Sequence, residues 1–145
     1  MFVSVTFSKS AALLCAGLFC QPALYGGSTP EGTFTTQRVF NRKTQRSSIM
    51  FTKRGELPLT IHRTWLGNPS QRRPQRLAST TPNDNKITGG CINVSDEMFN
   101  RLWQLPDGTQ FTIHGPSGLQ RVQPVGVTTK AALLALRGHQ FRQNT

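Results

Sequence analysis

Short apolar stretches alternate with polar residues along much of the chain, and glycine and proline separate them. The clearest alternation is "TQFTIHG", where Phe111 and Ile113 share one side and polar residues take the other, as in a half-buried strand. Residues 33–39 and 59–65 carry the β-branched and aromatic side chains that strands favour. This pattern predicts a mainly β fold.

One segment has the pattern of a helix rather than a strand. Ser95 is a good N-cap, and Asp96 and Glu97 suit the positive end of a helix dipole. The apolar face of this helix comprises Met98, Phe99 and Leu102. A second short helix is predicted in "TTKAALLALRG", ending at Gly138. We therefore expect a mainly β domain with one or two short helices.

Two long segments do not fit this scheme directly. Residues 66–85 are rich in proline, arginine and serine without periodicity, which predicts a long loop. Residues 1–25 have two interpretations. Lys9 and the apolar run after it resemble a short signal peptide, too short to span a bilayer. Alternatively the segment forms the first strands of the domain, with four side chains in the core: Leu13, Leu14, Leu18 and Phe19.

Composition limits the chain to one domain and points to anionic partners. With 145 residues it is too short for two ordinary domains, and 13 glycines and 9 prolines favour a turn-rich fold. The net charge is +11, and lysine and arginine concentrate between Arg38 and Arg76. Such a surface attracts nucleic acid, anionic lipid or anionic cell-wall polymer. The alternative is a solvated basic face that only keeps the protein soluble.

Three cysteines are present, and they differ in context. Cys15 and Cys20 lie in an apolar run, where we expect buried free thiols. Cys91 stands apart from them, after two glycines in a polar loop, so at least one thiol is unpaired. No cysteine or histidine pair has the spacing of a zinc site, so no structural metal is expected.

The glycines before Cys91 permit either a structural or a chemical role. Gly89 and Gly90 allow a sharp turn whose N–H groups converge, as an oxyanion hole requires. The helix predicted after Ser95 would favour a thiolate at Cys91. By itself, however, a Gly-Gly-Cys turn more often marks a small buried side chain beside a tight turn.

Of the three histidines, His62 and His114 are the candidate bases for such a thiol. His62 and His114 each end a predicted strand, where clefts often form, whereas His139 lies in a polar tail and is expected to be solvated. A single histidine at a strand end is commonly just exposed. Spacing alone does not choose between His62 and His114.

Four segments in order resemble the L,D-transpeptidase catalytic domain (YkuD type). They are "TPEGTF" at residues 29–34, "LTIHR" at 59–63, "ITGGCINVS" at 87–95 and "LPDGTQFTI" at 105–113. The resemblance extends over roughly residues 26–114, and the cysteine segment carries most of it. It implies that residues 26–145 form a YkuD-like β-sandwich or β-barrel-like catalytic domain.

The resemblance also implies roles for individual residues. Matched by position, Cys91 is the nucleophile, His62 is the general base, and the carbonyl of Arg63 orients that base. Three further positions match the segment around the nucleophile: Gly90 at the oxyanion site with the N–H of Cys91, and Thr88 and Asn93 at the substrate-binding site.

A protein of this type would cross-link or remodel peptidoglycan in the cell envelope or periplasm, and so influence cell shape. The resemblance implies a cysteine transferase that forms a thioester with peptidoglycan stem peptides, with carboxypeptidase activity as a side reaction. It implies no metal and no organic cofactor, and no transmembrane span is expected. The basic loop would hold anionic cell-wall polymer in a salt-dependent manner.

Two departures from the family pattern keep other functions open. Gly89 occupies the position where the family usually has histidine, and residues 66–85 lengthen the interval between His62 and Cys91. A catalytically impaired wall-binding module of the same fold is therefore the alternative. A basic nucleic-acid-binding protein is less expected, because the aromatic residues form no stacking motif.

Overall fold

The computed structural model describes residues 3–115, and the predicted mainly β fold is confirmed. His139 and the helix predicted before Gly138 lie outside the described residues. Nine strands form one sheet of five and one of four. None of the helices within residues 3–115 is long and apolar enough to cross a membrane.

The first sheet combines the amino-terminal strands with the end of the described chain. Its strands are β1 (Val5–Ser8), β2 (Leu13–Ala16), β3 (Phe19–Pro22), β4 (Gly32–Thr35) and β9 (Gln110–His114). Their order is β3-β2-β1-β9-β4, and only β1 and β9 run parallel. The strand predicted from "TQFTIHG" is therefore β9, near the middle of this sheet.

The second sheet carries the segments that flank the free cysteine. Its strands are β5 (Gln37–Asn41), β6 (Arg46–Arg54), β7 (Leu57–Arg63) and β8 (Ile92–Val94), in that order. The hairpins β5–β6 and β6–β7 are antiparallel, whereas β7 and β8 are parallel. Within residues 3–115 the α-helices are α1 (Arg73–Ala78) and α2 (Asp96–Trp103).

The two sheets pack face to face through aromatic and aliphatic side chains. Phe51 of β6 meets Phe111 of β9 edge to face, with ring centroids 5.3 Å apart, a geometry that aromatic pairs prefer. Helix α2 adds the three side chains predicted for its apolar face, all buried: Met98, Phe99 and Leu102. Its predicted N-cap is also present, because the Ser95 hydroxyl accepts the Met98 N–H at 3.1 Å.

Residues 5–22 form the three strands β1 to β3. Leu13 and Leu14 are buried, and Phe19 is half-buried beneath the guanidinium of Arg101, 3.8 Å above its ring. The expectation that Leu18 lies in the core is wrong, since it is 91% exposed. It occupies the two-residue turn between β2 and β3, next to Gly17 at φ +62°, where a side chain points away from both sheets.

The expectation of free thiols at Cys15 and Cys20 is also wrong, because these residues form a disulfide. They are direct partners across the antiparallel pair β2–β3, with Cα atoms 4.0 Å apart. The sequence did not reveal the turn at residues 17–18 that sets this register. Cys91 is the free cysteine of the described chain.

The segment at residues 66–85 is more regular than its composition predicts. It contains helix α1 and two 3-10 turns, Pro69–Gln71 and Pro82–Asn85. Each of these three elements has proline at its first or second position, where the fixed φ suits a helix start and no N–H is needed. These prolines therefore begin short helical elements, although a proline-rich composition predicts a loop.

We predict that removing the disulfide with the double substitution Cys15→Ala/Cys20→Ala lowers the free energy of unfolding by about 2 kcal/mol, because the unfolded chain is no longer cross-linked. Chemical denaturation without reductant measures this difference. Reductant should bring the wild-type protein to the same stability, and the Cys91→Ala variant should respond to reductant as the wild type does. A wild-type denaturation midpoint that reductant leaves unchanged would contradict the assignment of the Cys15–Cys20 disulfide.

Candidate active site

The parallel pairing of β7 and β8 brings His62 and Cys91 to one face of the sheet. His62 lies directly opposite Asn93. Two residues earlier on each side of the pair, Thr60 lies beside Cys91. Side chains two residues apart on a strand point to the same face. The Thr60 N–H donates to the Cys91 sulfur at 3.4 Å, and the Thr60 hydroxyl does so at 3.8 Å. The sulfur is therefore held by β7.

His62 is oriented by the carbonyl of its own neighbour. Its Nδ1 lies 2.6 Å from the Arg63 carbonyl oxygen, which can only accept a hydrogen bond, so Nδ1 carries the proton. In the neutral imidazole Nε2 is then the basic nitrogen. Nε2 is therefore the nitrogen left to interact with the Cys91 thiol, and His62 is one of the groups that lower the pKa of Cys91.

The surroundings of Cys91 favour its thiolate. Burial raises the pKa of Cys91, but hydrogen bonds from His62 and Thr60 and the charge on His62 lower it by more, so the pKa is below its usual value. A larger fraction of thiolate at neutral pH makes the sulfur a better nucleophile.

Strand spacing alone left His62 and His114 as equal candidates for the base, whereas the family resemblance implied His62, and the structure separates the two histidines. His114 ends β9 in the other sheet, where it pairs with Ser8 of β1. Of the two histidines, only His62 affects the pKa of Cys91.

The predicted effect of the α2 dipole on Cys91 does not fit the structure. Strand β8 separates Cys91 from the helix. At about 3.3 Å per residue, the four residues from Cys91 to Ser95 cover roughly 13 Å. A helix dipole acts mainly within its first turn, so the sulfur lies beyond its effective range.

The turn before the cysteine is closed by Thr88. Its hydroxyl donates to the Cys91 carbonyl at 2.6 Å and accepts the Gly90 N–H at 3.2 Å. Thr88 was predicted to bind substrate and Gly90 to supply an oxyanion donor. The structure instead joins these two groups to each other, so an oxyanion would have to compete with the Thr88 hydroxyl for the Gly90 N–H.

Gly90 is hydrogen-bonded to Thr29, the first residue of the segment "TPEGTF". It is buried with φ +132°, a conformation that favours glycine, and its carbonyl accepts the Thr29 hydroxyl at 3.0 Å. Gly26 passes so close that an added Cβ would lie 2.1 Å from the Thr88 carbonyl oxygen. Residues 26–29 therefore brace the turn that carries Cys91.

Gly89 occupies a much more open position than Gly90. It is exposed, and a Cβ built on it would meet nothing within 4 Å. Its carbonyl accepts from the Ser28 hydroxyl at 3.0 Å and from Arg54 Nη2 at 2.9 Å. The position therefore accommodates a side chain, although this chain has none there.

Asn93, predicted to bind substrate, is fully buried. Its Oδ1 accepts the Trp65 N–H at 3.0 Å and Arg73 Nη1 at 2.8 Å. Its Nδ2 is the buried side-chain nitrogen or oxygen within residues 3–115 that has no hydrogen-bond partner. Asn93 thus fixes residues 65–73 against β8, directly beside His62.

Arg73 is a residue of this site that sequence reasoning missed. It is only 9% exposed, and its guanidinium lies 4.8 Å from the Trp65 ring centroid. Burial lowers the pKa of Arg73, while the nearby Cys91 raises it. No local signal distinguishes this arginine from the other basic residues of the segment, because its burial depends on a contact with a strand 20 residues further along the chain.

Comparison with solved structures shows what the fold of this chain is similar to. No family model and no curated protein matches the sequence. Among solved structures, the chain is similar to the crystal structure of Mycobacterium tuberculosis L,D-transpeptidase 1, with a TM-score of 0.49 and 17% sequence identity. The match covers 78% of this chain and 59% of that one, so the chain spans less than two thirds of that protein's length.

We predict that His62→Gln slows the alkylation of Cys91 by iodoacetamide at neutral pH by about tenfold, because less thiolate is present and a tenfold change corresponds to ~1.4 kcal/mol. The rate is measured by intact mass over time. His114→Gln, which changes a strand-end histidine in the other sheet, is the matched control and should keep the wild-type rate. Equal slowing by both substitutions would show that His62 does not act on the thiol.

Proposed function

We propose that this protein is a cysteine acyltransferase of the L,D-transpeptidase type that acts on peptidoglycan stem peptides. The observation that carries the proposal is that His62, oriented by the Arg63 carbonyl, lies on the same face of the sheet as Cys91 and lowers the pKa of Cys91. The ordered sequence segments that resemble the L,D-transpeptidase catalytic domain supply the substrate class.

In the first half of the reaction, His62 accepts the thiol proton and the Cys91 sulfur attacks the carbonyl of the third stem residue. The tetrahedral intermediate places a negative charge on the carbonyl oxygen, near the backbone of Gly90 and Cys91. When it collapses, the C–N bond breaks and the imidazolium returns its proton to the leaving amine. The terminal amino acid departs, and a thioester remains on Cys91.

In the second half, a side-chain amine of another stem peptide attacks the thioester. His62 takes a proton from this amine, and the restored thiol leaves as the new amide bond forms. Water in place of the amine gives hydrolysis, the carboxypeptidase side reaction. No step in this sequence needs a metal or an organic cofactor.

Two further features support action in the cell envelope. The disulfide is of the kind that persists in oxidising compartments such as the periplasm. The β5–β6 hairpin presents a basic surface suited to anionic cell-wall polymer; its exposed basic residues are Arg38, Arg42, Lys43, Arg46, Lys53 and Arg54.

Incubating the protein with a stem tetrapeptide tests this function. We expect a mass increase equal to the acyl tripeptide on Cys91, followed by release of tripeptide or cross-linked dimer. Cys91→Ala should form no adduct, and His62→Gln should form it at least about tenfold more slowly, since a positioned base contributes roughly a hundredfold or more. A wild-type protein that forms no adduct at any pH would favour the alternative, a wall-binding module without activity.

Gly89 is the specific observation that favours this alternative, because the family usually has histidine there. We predict that Gly89→His changes the rate of adduct formation by less than about tenfold, or ~1.4 kcal/mol in the barrier, since His62 already serves Cys91. Gly89→Ala controls for adding a side chain at this open position. A much larger gain with histidine alone would show that the natural protein is impaired.

A further inference from the structure

Arg73 places a buried guanidinium against Asn93, two residues after Cys91, without an acidic partner. Its guanidinium forms no ion pair with any residue in the described part of the chain. Its two hydrogen bonds go to neutral oxygens, Nη1 to Asn93 Oδ1 at 2.8 Å and Nε to Gln71 Oε1 at 2.7 Å. Buried charges are normally paired, so an unpaired guanidinium suggests an anion that arrives from outside.

The same guanidinium is held rigidly in one orientation. It stacks on Trp65, and its Nε and Nη1 are fixed by their acceptors, while Nη2 donates to no described residue. An arginine fixed in this way loses little further conformational freedom when it binds a carboxylate through its remaining N–H groups.

A second observation indicates a missing acceptor in the same place. The Oδ1 of Asn93 binds Arg73, and the Nδ2 of the same amide is buried without a partner. Both atoms belong to a residue two positions after the nucleophile on the same face of the sheet. A donor left without a partner and an unpaired cation would both be stabilised by one anionic acceptor.

We propose that Arg73 binds the free carboxylate of the amino acid that leaves when Cys91 attacks the substrate. The proposal rests on the proposed function, and it specifies which bond is cleaved. In the donor peptide this carboxylate belongs to the residue directly after the scissile carbonyl, within about 4 Å of the reacting carbon. Arg73 thereby restricts Cys91 to the last peptide bond of the stem.

The balance of the reaction is consistent with this role. The bond from sulfur to the carbonyl carbon forms as the C–N bond breaks, and the leaving amino acid takes a proton on its amine from His62. Its carboxylate keeps its charge throughout. Arg73 therefore acts in binding and positioning the donor, and not in proton transfer.

Two stem tetrapeptides that differ only at the carboxyl terminus, one with a free carboxylate and one with an amide, test the proposal. The rate of adduct formation on Cys91 should favour the carboxylate by about tenfold to a hundredfold in the wild type, the value of a charge-assisted hydrogen bond. Arg73→Met should abolish this preference, and Arg73→Lys should keep part of it. Arg72→Met, which removes the exposed neighbouring charge, should keep the full preference.

The ratio between the two peptides separates recognition from a purely structural role. If Arg73→Met slows adduct formation with both peptides by the same factor, Arg73 only holds residues 65–73 against Asn93, and the proposal is wrong. If the wild-type protein forms the adduct at the same rate with both peptides, the proposal is also wrong.

A binding measurement distinguishes this failure from failure of the proposed function. The measurement uses Cys91→Ala protein, which cannot form the adduct. Because Trp65 stacks on Arg73, the fluorescence of Trp65 should report peptide binding. Tighter binding of the carboxylate peptide that is lost in Cys91→Ala/Arg73→Met would support recognition even if the wild type formed no adduct. Equal binding of the two peptides without any adduct would overturn both proposals.

Discussion

The parallel pairing of β7 with β8 is the interaction on which the candidate site depends. It places His62 opposite Asn93 and Thr60 beside Cys91, so a histidine and a cysteine from distant parts of the chain share one face of a sheet. A shift of the register by one residue would turn Cys91 to the opposite face. The hydrogen bonds that lower the pKa of Cys91 are thus a consequence of strand register.

Asn93 extends this arrangement to the segment between the two strands. Its amide oxygen accepts from the Trp65 backbone and from Arg73, and so holds a segment rich in proline and arginine against β8. The turn before Cys91 is fixed independently by Thr88 within the loop and by Thr29 from the first segment. The backbone on both sides of the sulfur is therefore fixed, while the position of Gly89 remains open.

Local patterns predicted local structure well, and contacts across long sequence intervals account for what they missed. The capping and apolar spacing of α2 and the alternation in β9 are properties of a few consecutive residues, and both were predicted. The prediction that Leu18 is buried was wrong because the position of a turn, and not the hydrophobicity of the side chain, decides its exposure. The disulfide between Cys15 and Cys20 depends on the register of a hairpin. The burial of Arg73 depends on Asn93, which no local pattern of the sequence reveals.

For the site, the resemblance to a family predicted which residues lie together but not what each one contacts. His62 and Cys91 lie on one face of the sheet, whereas Thr88 and Asn93 are engaged by neighbouring groups of the protein. The central claim is that this packing lowers the pKa of Cys91 below that of a free cysteine. Ultraviolet absorbance of the thiolate, titrated with pH in the wild type and corrected with Cys91→Ser, tests it most directly. The account predicts a midpoint below that of free cysteine, about 8.5, and a midpoint at or above that value would contradict it.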